Sequence, residues 1–270
     1  MGLKRFALTL ALSTLIFSGC QPNAGETGAA GGQTGSTGGQ TPAYQAATSP
    51  PVPDATATVN AGATTSSTAT PGVTATPGEE ISHTLMPLPG RTDVPKITRK
   101  QTVTLKTTSG EVVIEVYPEA APNAAKRFVE LVESGFYDDT PVSRVVPGFV
   151  AQFGVNWRSP HKAFKDKNFD DDPSYFALDR GTLAFAKAGP NTNSTQVFIN
   201  FRENNRLAEP GMNFTTFGKV VKGMEIVDQF AVVGDAQMGL DQGKLWEDGA
   251  SMIESLDKKP TMIEKATVSE

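Results

Sequence analysis

The first third of the chain limits where a folded domain can lie. Residues 21–95 are dominated by Gly, Thr, Ala, Ser, Pro and Gln and contain almost no large apolar side chains. A segment of this composition cannot bury enough apolar surface to offset the entropy that it would lose on ordering. We therefore predict a disordered linker over residues 21–95, which leaves residues 96–270 for one folded domain.

Residues 1–20 have the pattern of an export signal. Lys4 and Arg5 precede an apolar run that ends in Ser-Gly-Cys20, and this run is too short to span a bilayer comfortably. The sequence Leu-Ile-Phe-Ser-Gly-Cys resembles a bacterial lipobox, which implies that Cys20 is lipidated and becomes the new N-terminus. The resemblance implies an exported protein, lipid-anchored to the bacterial cell membrane or outer membrane, with its domain outside the cytoplasm. The alternative is an ordinary signal peptide with an incidental Cys, or an uncleaved anchor.

Charge and composition exclude several classes of function. The chain has 270 residues and a formal net charge of −5 at pH 7, so we do not expect a nucleic-acid partner. One Cys and two His exclude a disulfide framework and a Cys/His zinc site. The run Asp170-Asp171-Asp172 could bind a cation, but acidic runs are usually solvated. We therefore expect neither a metal nor another cofactor.

The remaining sequence has strand and turn signals at close spacing. Apolar side chains alternate over residues 101–107 and 111–117 around a Ser-Gly turn, which predicts a hairpin. A helix is predicted over residues 122–134, because Pro stands at its first position and Gly follows its end. A loop-rich insertion follows over residues 155–180, and a short helical segment is predicted near residues 224–230. Further strands are predicted over residues 181–186, 196–201 and 214–221. Two helices and many short strands predict a mainly β fold, a closed barrel with helical caps.

Residues 143–154 place two polar side chains inside an apolar run. Their sequence is Ser-Arg-Val-Val-Pro-Gly-Phe-Val-Ala-Gln-Phe-Gly. A core strand has little use for Arg144 and Gln152 unless they face a cavity or a partner. In a strand with a period of two residues, Val150 and Gln152 share one face. From these residues two interpretations stay open: a binding site, or a snorkelling Arg at a sheet edge with a Gln at the rim.

Two long motifs carry a resemblance to a known family. The first is residues 144–152, Arg-Val-Val-Pro-Gly-Phe-Val-Ala-Gln, and the second is residues 189–199, Gly-Pro-Asn-Thr-Asn-Ser-Thr-Gln-Val-Phe-Ile. Together with the opening hairpin and helix, they resemble the cyclophilin family of peptidyl-prolyl isomerases over about residues 101–268. The resemblance implies an eight-stranded antiparallel β-barrel capped by two α-helices. It also implies a peptidyl-prolyl cis-trans isomerase that assists the folding of exported proteins. The expected partners are proline-containing unfolded or exported polypeptides, and we expect a monomer.

The same resemblance implies a set of site residues. Arg144 stands at the position of the family's catalytic arginine, and Gln152 at the position of the residue that bonds the substrate backbone. The implied substrate contacts are Phe149, Val150, Ala186, Lys187, Gln196, Phe198, Leu207 and Phe214. Without the resemblance, Phe149, Val150 and Phe198 would be interpreted as ordinary barrel core, and Gln152 and Gln196 as hydrogen-bonding supports for loops.

Several positions depart from the family pattern. Lys187 replaces a common Asn, Phe214 stands where many members have a His, and Val142-Ser143 stands where a Phe-His pair commonly precedes the Arg. Residues 204–213 are longer than usual, so Leu207 is the nearest apolar candidate for the family's Trp position. The departures keep open a second hypothesis, a proline-peptide binding module or chaperone with little catalytic activity. A third hypothesis is a solute-binding lipoprotein, and a single barrel without a two-lobed cleft argues against it.

Overall fold

The computed structural model describes residues 84–269 of the chain, and this region contains eight strands. The strands are β1 (Gln101–Thr107), β2 (Gly110–Val116), β3 (Thr140–Val146), β4 (Val150–Phe153), β5 (Thr182–Phe185), β6 (Val197–Asn200), β7 (Thr216–Lys222) and β8 (Met262–Ser269). They close into a barrel in the order β1-β2-β7-β5-β6-β4-β3-β8, and all neighbouring strands are antiparallel. The predicted closed, eight-stranded antiparallel barrel is confirmed.

Helix α1 (Pro122–Glu133) packs against the barrel core in the predicted place. Pro122 stands at the start of the helix, where the missing N–H costs nothing. The backbone N–H groups of the next two residues donate to the carboxylate of Asp172, which supplies a cap from a distant part of the chain. The ring of Phe128 lies 5.1 Å from that of Phe217 and 5.5 Å from that of Tyr137, measured between centroids. The apolar face of α1 therefore contributes directly to the core.

The barrel is accompanied by two further helices, of which one was predicted. Helix α2 (Met224–Val227) lies within the predicted segment near residues 224–230 but is shorter. Helix α3 (Gln242–Ser255) was not predicted, and its helical geometry is interrupted at Asp248. In the described part of the chain, no helix combines the length and the apolar character that crossing a membrane requires.

Residues 84–99, which we call the strap, pack against the outside of the barrel. Leu85 is 3% exposed and Ile97 is completely buried, and both belong to an apolar cluster with Phe176. The backbone of the strap also pairs with the insertion between β4 and β5, since Ala177 N donates to Met86 O at 2.8 Å. Residues 84–95 were assigned to the linker, so the folded region begins earlier than the predicted boundary at residue 96. Residues 21–95 contain few large apolar side chains on average, but this segment has a few well-separated ones that pack against the barrel.

The predictions for the export signal, for the lipidation of Cys20 and for the linker up to residue 83 concern residues outside the described part of the chain. They stay predictions.

Candidate active site

Strand alternation places a second apolar cluster on the outer face of the barrel. In β4, Ala151 and Phe153 lie in the barrel core, whereas Val150 belongs to a separate cluster. In β6, Phe198 likewise lies outside the core that its two strand neighbours help to form. We call this group the outer apolar cluster. Its buried members are Val150, Leu178, Ala184, Phe198, Leu207 and Phe214, and Phe149, Ala186, Ala208 and Met212 pack against them.

The outer apolar cluster contains the apolar site residues that the resemblance implied. They are Phe149, Val150, Ala186, Phe198, Leu207 and Phe214. The rings of Phe198 and Phe214 meet nearly edge to face, with 5.7 Å between their centroids and an angle of 70° between their planes. Phe149 is half-buried at the edge of the cluster. The interpretation of Phe149, Val150 and Phe198 as barrel core is wrong, because the interior of the closed barrel is a separate cluster that does not include them.

Four members of the cluster were not predicted. They are Leu178, Ala184, Ala208 and Met212. Alternation from Ala186 would have indicated Ala184, which pairs across the sheet with Phe198. Leu178 lies in the insertion between β4 and β5, and no periodic pattern there indicates which side chains turn inward.

The three predicted polar site residues are joined by hydrogen bonds. Arg144 on β3 pairs directly with Gln152 on β4, and Arg144 Nη1 donates to Gln152 Oε1 at 3.2 Å. Gln152 Nε2 in turn donates to Gln196 Oε1 at 2.9 Å. The guanidinium carbon of Arg144 lies 5.7 Å from the centroid of the Phe149 ring. The charged end of Arg144 is thus held at the border of the outer apolar cluster.

A loop over residues 234–240 supports Arg144 from the other side. Arg144 Nε donates to the carbonyl oxygen of Gln237 at 2.6 Å. The loop is tightly closed, because Asp235 Oδ1 accepts two backbone N–H bonds within it at 2.8 Å, and these bonds lower the pKa of Asp235. Gly239 has a φ of +71°, and a side chain there would collide with the carbonyl oxygen of Ser143. Sequence reasoning missed this support, since 93 residues separate the two partners.

Lys187 is turned into the protein. Its side chain is 4% exposed, and its Nζ lies 2.7 Å from Asp171 Oδ2. The same Nζ donates to the carbonyl oxygen of Asn213 at 3.0 Å. The ammonium group is therefore occupied by protein acceptors, and the structure does not present it at the surface as a substrate contact.

The acidic run is built into the fold. Asp171 binds Lys187 and also accepts a hydrogen bond from Asn193 Nδ2 at 2.7 Å. Asp172 caps α1, and its burial raises the pKa of its carboxyl group. The interpretation of this run as solvated is wrong for both residues. Within residues 84–269, no group of His, Cys, Asp and Glu is arranged to hold a metal ion.

A cavity of about 700 Å³ lies away from these residues, beside the C-terminal end of α1 and along β8. Glu133, His161 and Lys265 are among its lining residues, and none of the predicted site residues lines it. The ammonium group of Lys265 is bound by Asp138 at 2.6 Å. This cavity is therefore separate from the candidate active site.

Comparison with known proteins gives consistent matches. Residues 102–245 match the family model described as cyclophilin type peptidyl-prolyl cis-trans isomerase/CLD. A peptidyl-prolyl cis-trans isomerase of Acinetobacter baylyi is 37% identical over 146 residues, which cover 52% of this chain and 77% of the relative. Peptidyl-prolyl cis-trans isomerase B of Escherichia coli is 31% identical over 175 residues, which cover 62% of this chain and 99% of the relative.

Among solved structures, a cyclophilin type peptidyl-prolyl cis-trans isomerase of Cryptosporidium parvum matches with a TM-score of 0.48 and 23% identity. The match covers 64% of this chain and 99% of that one. The residues that match the family model, 102–245, include every non-lipid site residue that the sequence predicted.

Proposed function

Since the chain belongs to the cyclophilin-type family of peptidyl-prolyl cis-trans isomerases and is itself such an isomerase, we propose that Arg144 and the outer apolar cluster perform the catalysis. One observation supports this proposal: a hydrogen-bonded guanidinium stands at the edge of a buried apolar cluster that is separate from the barrel core and has the half-buried Phe149 and Ala186 at its rim. The substrates that suit this site are X-Pro segments of unfolded or exported polypeptides, and we propose that the protein acts on them as a monomer.

The reaction needs no nucleophile and no proton transfer. Rotation about an X-Pro bond meets a barrier of ~18–20 kcal/mol, because the twist destroys the amide resonance. The twisted state returns a lone pair to the proline nitrogen. An N–H group of the Arg144 guanidinium can then donate a hydrogen bond to this nitrogen. Because the planar ground state offers no such lone pair, this bond stabilises the transition state specifically.

One hydrogen bond from Arg144 is too weak to account for the whole rate acceleration, so the rest of the site must also lower the barrier. Lowering uncatalysed exchange from tens or hundreds of seconds to milliseconds requires on the order of 7 kcal/mol. One charge-assisted hydrogen bond contributes ~1.5–3 kcal/mol. The remainder falls to the outer apolar cluster, which would hold the proline ring, and to Gln152 and Gln196, which would hold the peptide backbone. The bonds from Arg144 to Gln152 and to the Gln237 carbonyl keep the guanidinium oriented before substrate binds.

We expect the protein to catalyse exchange rather than to bind peptide passively. The Cys20→Ser chain, which avoids the lipid, should produce cis/trans exchange cross-peaks for an Ala-Pro peptide in NMR spectra, far faster than the peptide alone. A peptide with Ala in place of Pro serves as the control and should show no exchange. Chemical-shift changes of the Pro peptide without faster exchange would instead favour the binding module, and the absence of both effects would reject both functions.

We also propose that the protein is exported and anchored through Cys20. The support is the basic start, the short apolar run and the unique Cys at the end of that run. In this arrangement the linker holds the barrel away from the membrane, and the isomerase assists the folding of exported proteins. One Cys that carries several acyl chains would give stable anchoring.

The anchor predicts a clear result in cell fractionation. The chain expressed in a bacterial host should be recovered with the membranes, and Cys20→Ser should move most of it to the unanchored fraction, because the lipid attachment is lost. Ser13→Ala, a change within the same apolar run, is the matched control and should stay with the membranes. If the Cys20→Ser chain remains membrane-bound to the same extent, the lipid anchor is wrong.

A further inference from the structure

Lys187 carries its charge in an enclosed position beside the outer apolar cluster. Its side chain is 4% exposed, and that of its ion-pair partner Asp171 is 14% exposed. Removing two charges from water costs more free energy than their attraction returns unless further polar contacts complete the site. The contacts around this pair therefore decide what it does for the protein.

These contacts join three separate segments. Lys187, in the loop after β5, donates from Nζ to the carbonyl oxygen of Asn213 at 3.0 Å. Asp171, in the insertion between β4 and β5, accepts from Asn193 Nδ2 at 2.7 Å, and its backbone N–H donates to Asn191 Oδ1 at 2.8 Å. The ion pair thus ties the insertion to two loops of the site region.

One of these segments leads directly to Phe214, which forms with Phe198 the aromatic wall of the outer apolar cluster. Asn213, whose carbonyl Lys187 holds, has a φ of +48°, in the left-handed region that non-glycine residues rarely adopt. The next residue, Phe214, has its ring centroid 5.4 Å from Lys187 Nζ and 5.7 Å from the ring of Phe198. The backbone N–H of Phe214 donates to Leu207 O at 2.8 Å. The backbone and the ring of Phe214 are therefore both held next to the ammonium group.

We propose that the Lys187–Asp171 ion pair positions Phe214 and so sets the shape of the part of the outer apolar cluster that receives the proline ring. Lys187 is then a positioning residue that acts through an aromatic neighbour, in place of the direct substrate contact that the resemblance implied. This proposal rests on the proposed function, because it concerns the substrate surface of the same site.

The effect should lie in KM. An apolar wall contacts the proline ring in both the ground state and the transition state, so weakening it removes uniform binding. For Lys187→Met in the Cys20→Ser chain, we expect KM for an Ala-Pro peptide to rise about three- to tenfold, with kcat within about twofold. Initial rates of cis-to-trans conversion at several peptide concentrations separate the two constants. Asp171→Asn keeps the size of the side chain but removes its charge, and it should produce the same split.

Two further comparisons test whether Lys187 acts through Phe214. The Lys187→Met/Asp171→Asn double variant should be no worse than the more affected single variant, because both changes remove the same interaction. In a Phe214→Ala background, Lys187→Met should change KM less than about twofold. Lys265→Met, which breaks the Lys265–Asp138 pair beside the separate cavity, is the matched control and should leave kcat and KM unchanged.

The possible results are distinct. A loss in kcat with unchanged KM, or an equal effect of Lys187→Met with and without Phe214, would overturn the positioning role. If Lys187→Met fails to fold, Asp171→Asn carries the test, and unchanged KM in that variant also overturns it. If the parent chain shows no catalysed exchange, the proposed function has failed. The wall is then tested by NMR titration with the Ala-Pro peptide, in which Lys187→Met should raise Kd by the same factor and an unchanged Kd would reject the proposal.

Discussion

Arg144→Ala should lower kcat/KM for X-Pro isomerisation about tenfold to a hundredfold, mainly through kcat. The guanidinium is proposed to donate to the proline nitrogen only when the bond is twisted, so its removal affects the transition state more than the bound substrate. A charge-assisted hydrogen bond of ~1.5–3 kcal/mol corresponds to this range. The measurement is the catalysed rate at several concentrations of an Ala-Pro peptide. Arg144→Lys should recover little, because an ammonium group cannot reproduce the planar fork that contacts Gln152 and Gln237 together.

The control for this prediction is another arginine with a polar partner. Arg99 lies in the strap, its side chain is 72% exposed and it binds Glu119 at 2.8 Å. Arg99→Ala should keep the parent rate within about twofold, since surface ion pairs contribute little and this one is separate from the site residues. Equal rates for the Arg144→Ala chain and the parent chain would remove Arg144 from the mechanism. A change confined to KM would assign it to binding alone.

Ile97→Ala should lower the free energy of unfolding by about 2–5 kcal/mol, the range for removing a large aliphatic side chain from a packed core. Ile97 is completely buried in the cluster that the strap forms with Tyr117, Ala120 and Phe176. The loss should appear as an earlier midpoint in urea unfolding of the full chain. We expect this loss of stability because the strap packs as part of the folded domain.

Met86→Ala is the matched control, because Met86 lies in the same strap but its side chain is 62% exposed. Its effect should stay within about 0.5 kcal/mol, as for most surface substitutions. The substitution leaves the backbone bond from Ala177 N to Met86 O in place. If Ile97→Ala and Met86→Ala have the same small effect, the strap does not contribute to the stability of the barrel.

Local periodicity was sufficient to predict much of the barrel. Hairpin alternation predicted β1 and β2, and a terminal Pro and Gly with an apolar stripe predicted α1. Alternation in β4 also predicted that Val150 lies on a different face from Ala151 and Phe153, and the two separate clusters confirm it. These features depend on neighbours only a few residues away along the chain, so a single sequence contains the information they need.

Other features depend on contacts between distant segments and could not be predicted in this way. The carbonyl of Gln237 meets Arg144 across 93 residues, and the carboxylate of Asp172 meets the start of α1 across 48 or more. The resemblance implies that Lys187 is a groove residue, whereas its partner Asp171 lies 16 residues away in the insertion between β4 and β5. Every residue has a backbone carbonyl, so the sequence does not indicate which carbonyl will accept a hydrogen bond.

Local residue patterns determined that this protein forms a barrel of alternating strands. The grouping of Arg144, Gln152 and the aromatic residues into one site was implied by the resemblance of two motifs to a family, and the structure brings these residues close together. Tertiary structure alone decided where the folded region begins, what orients the guanidinium and which way the Lys187 ammonium group turns. The physical reason is that periodicity is a local property, whereas the free energy of an enclosed charge or a buried strap depends on partners that only the folded chain brings together.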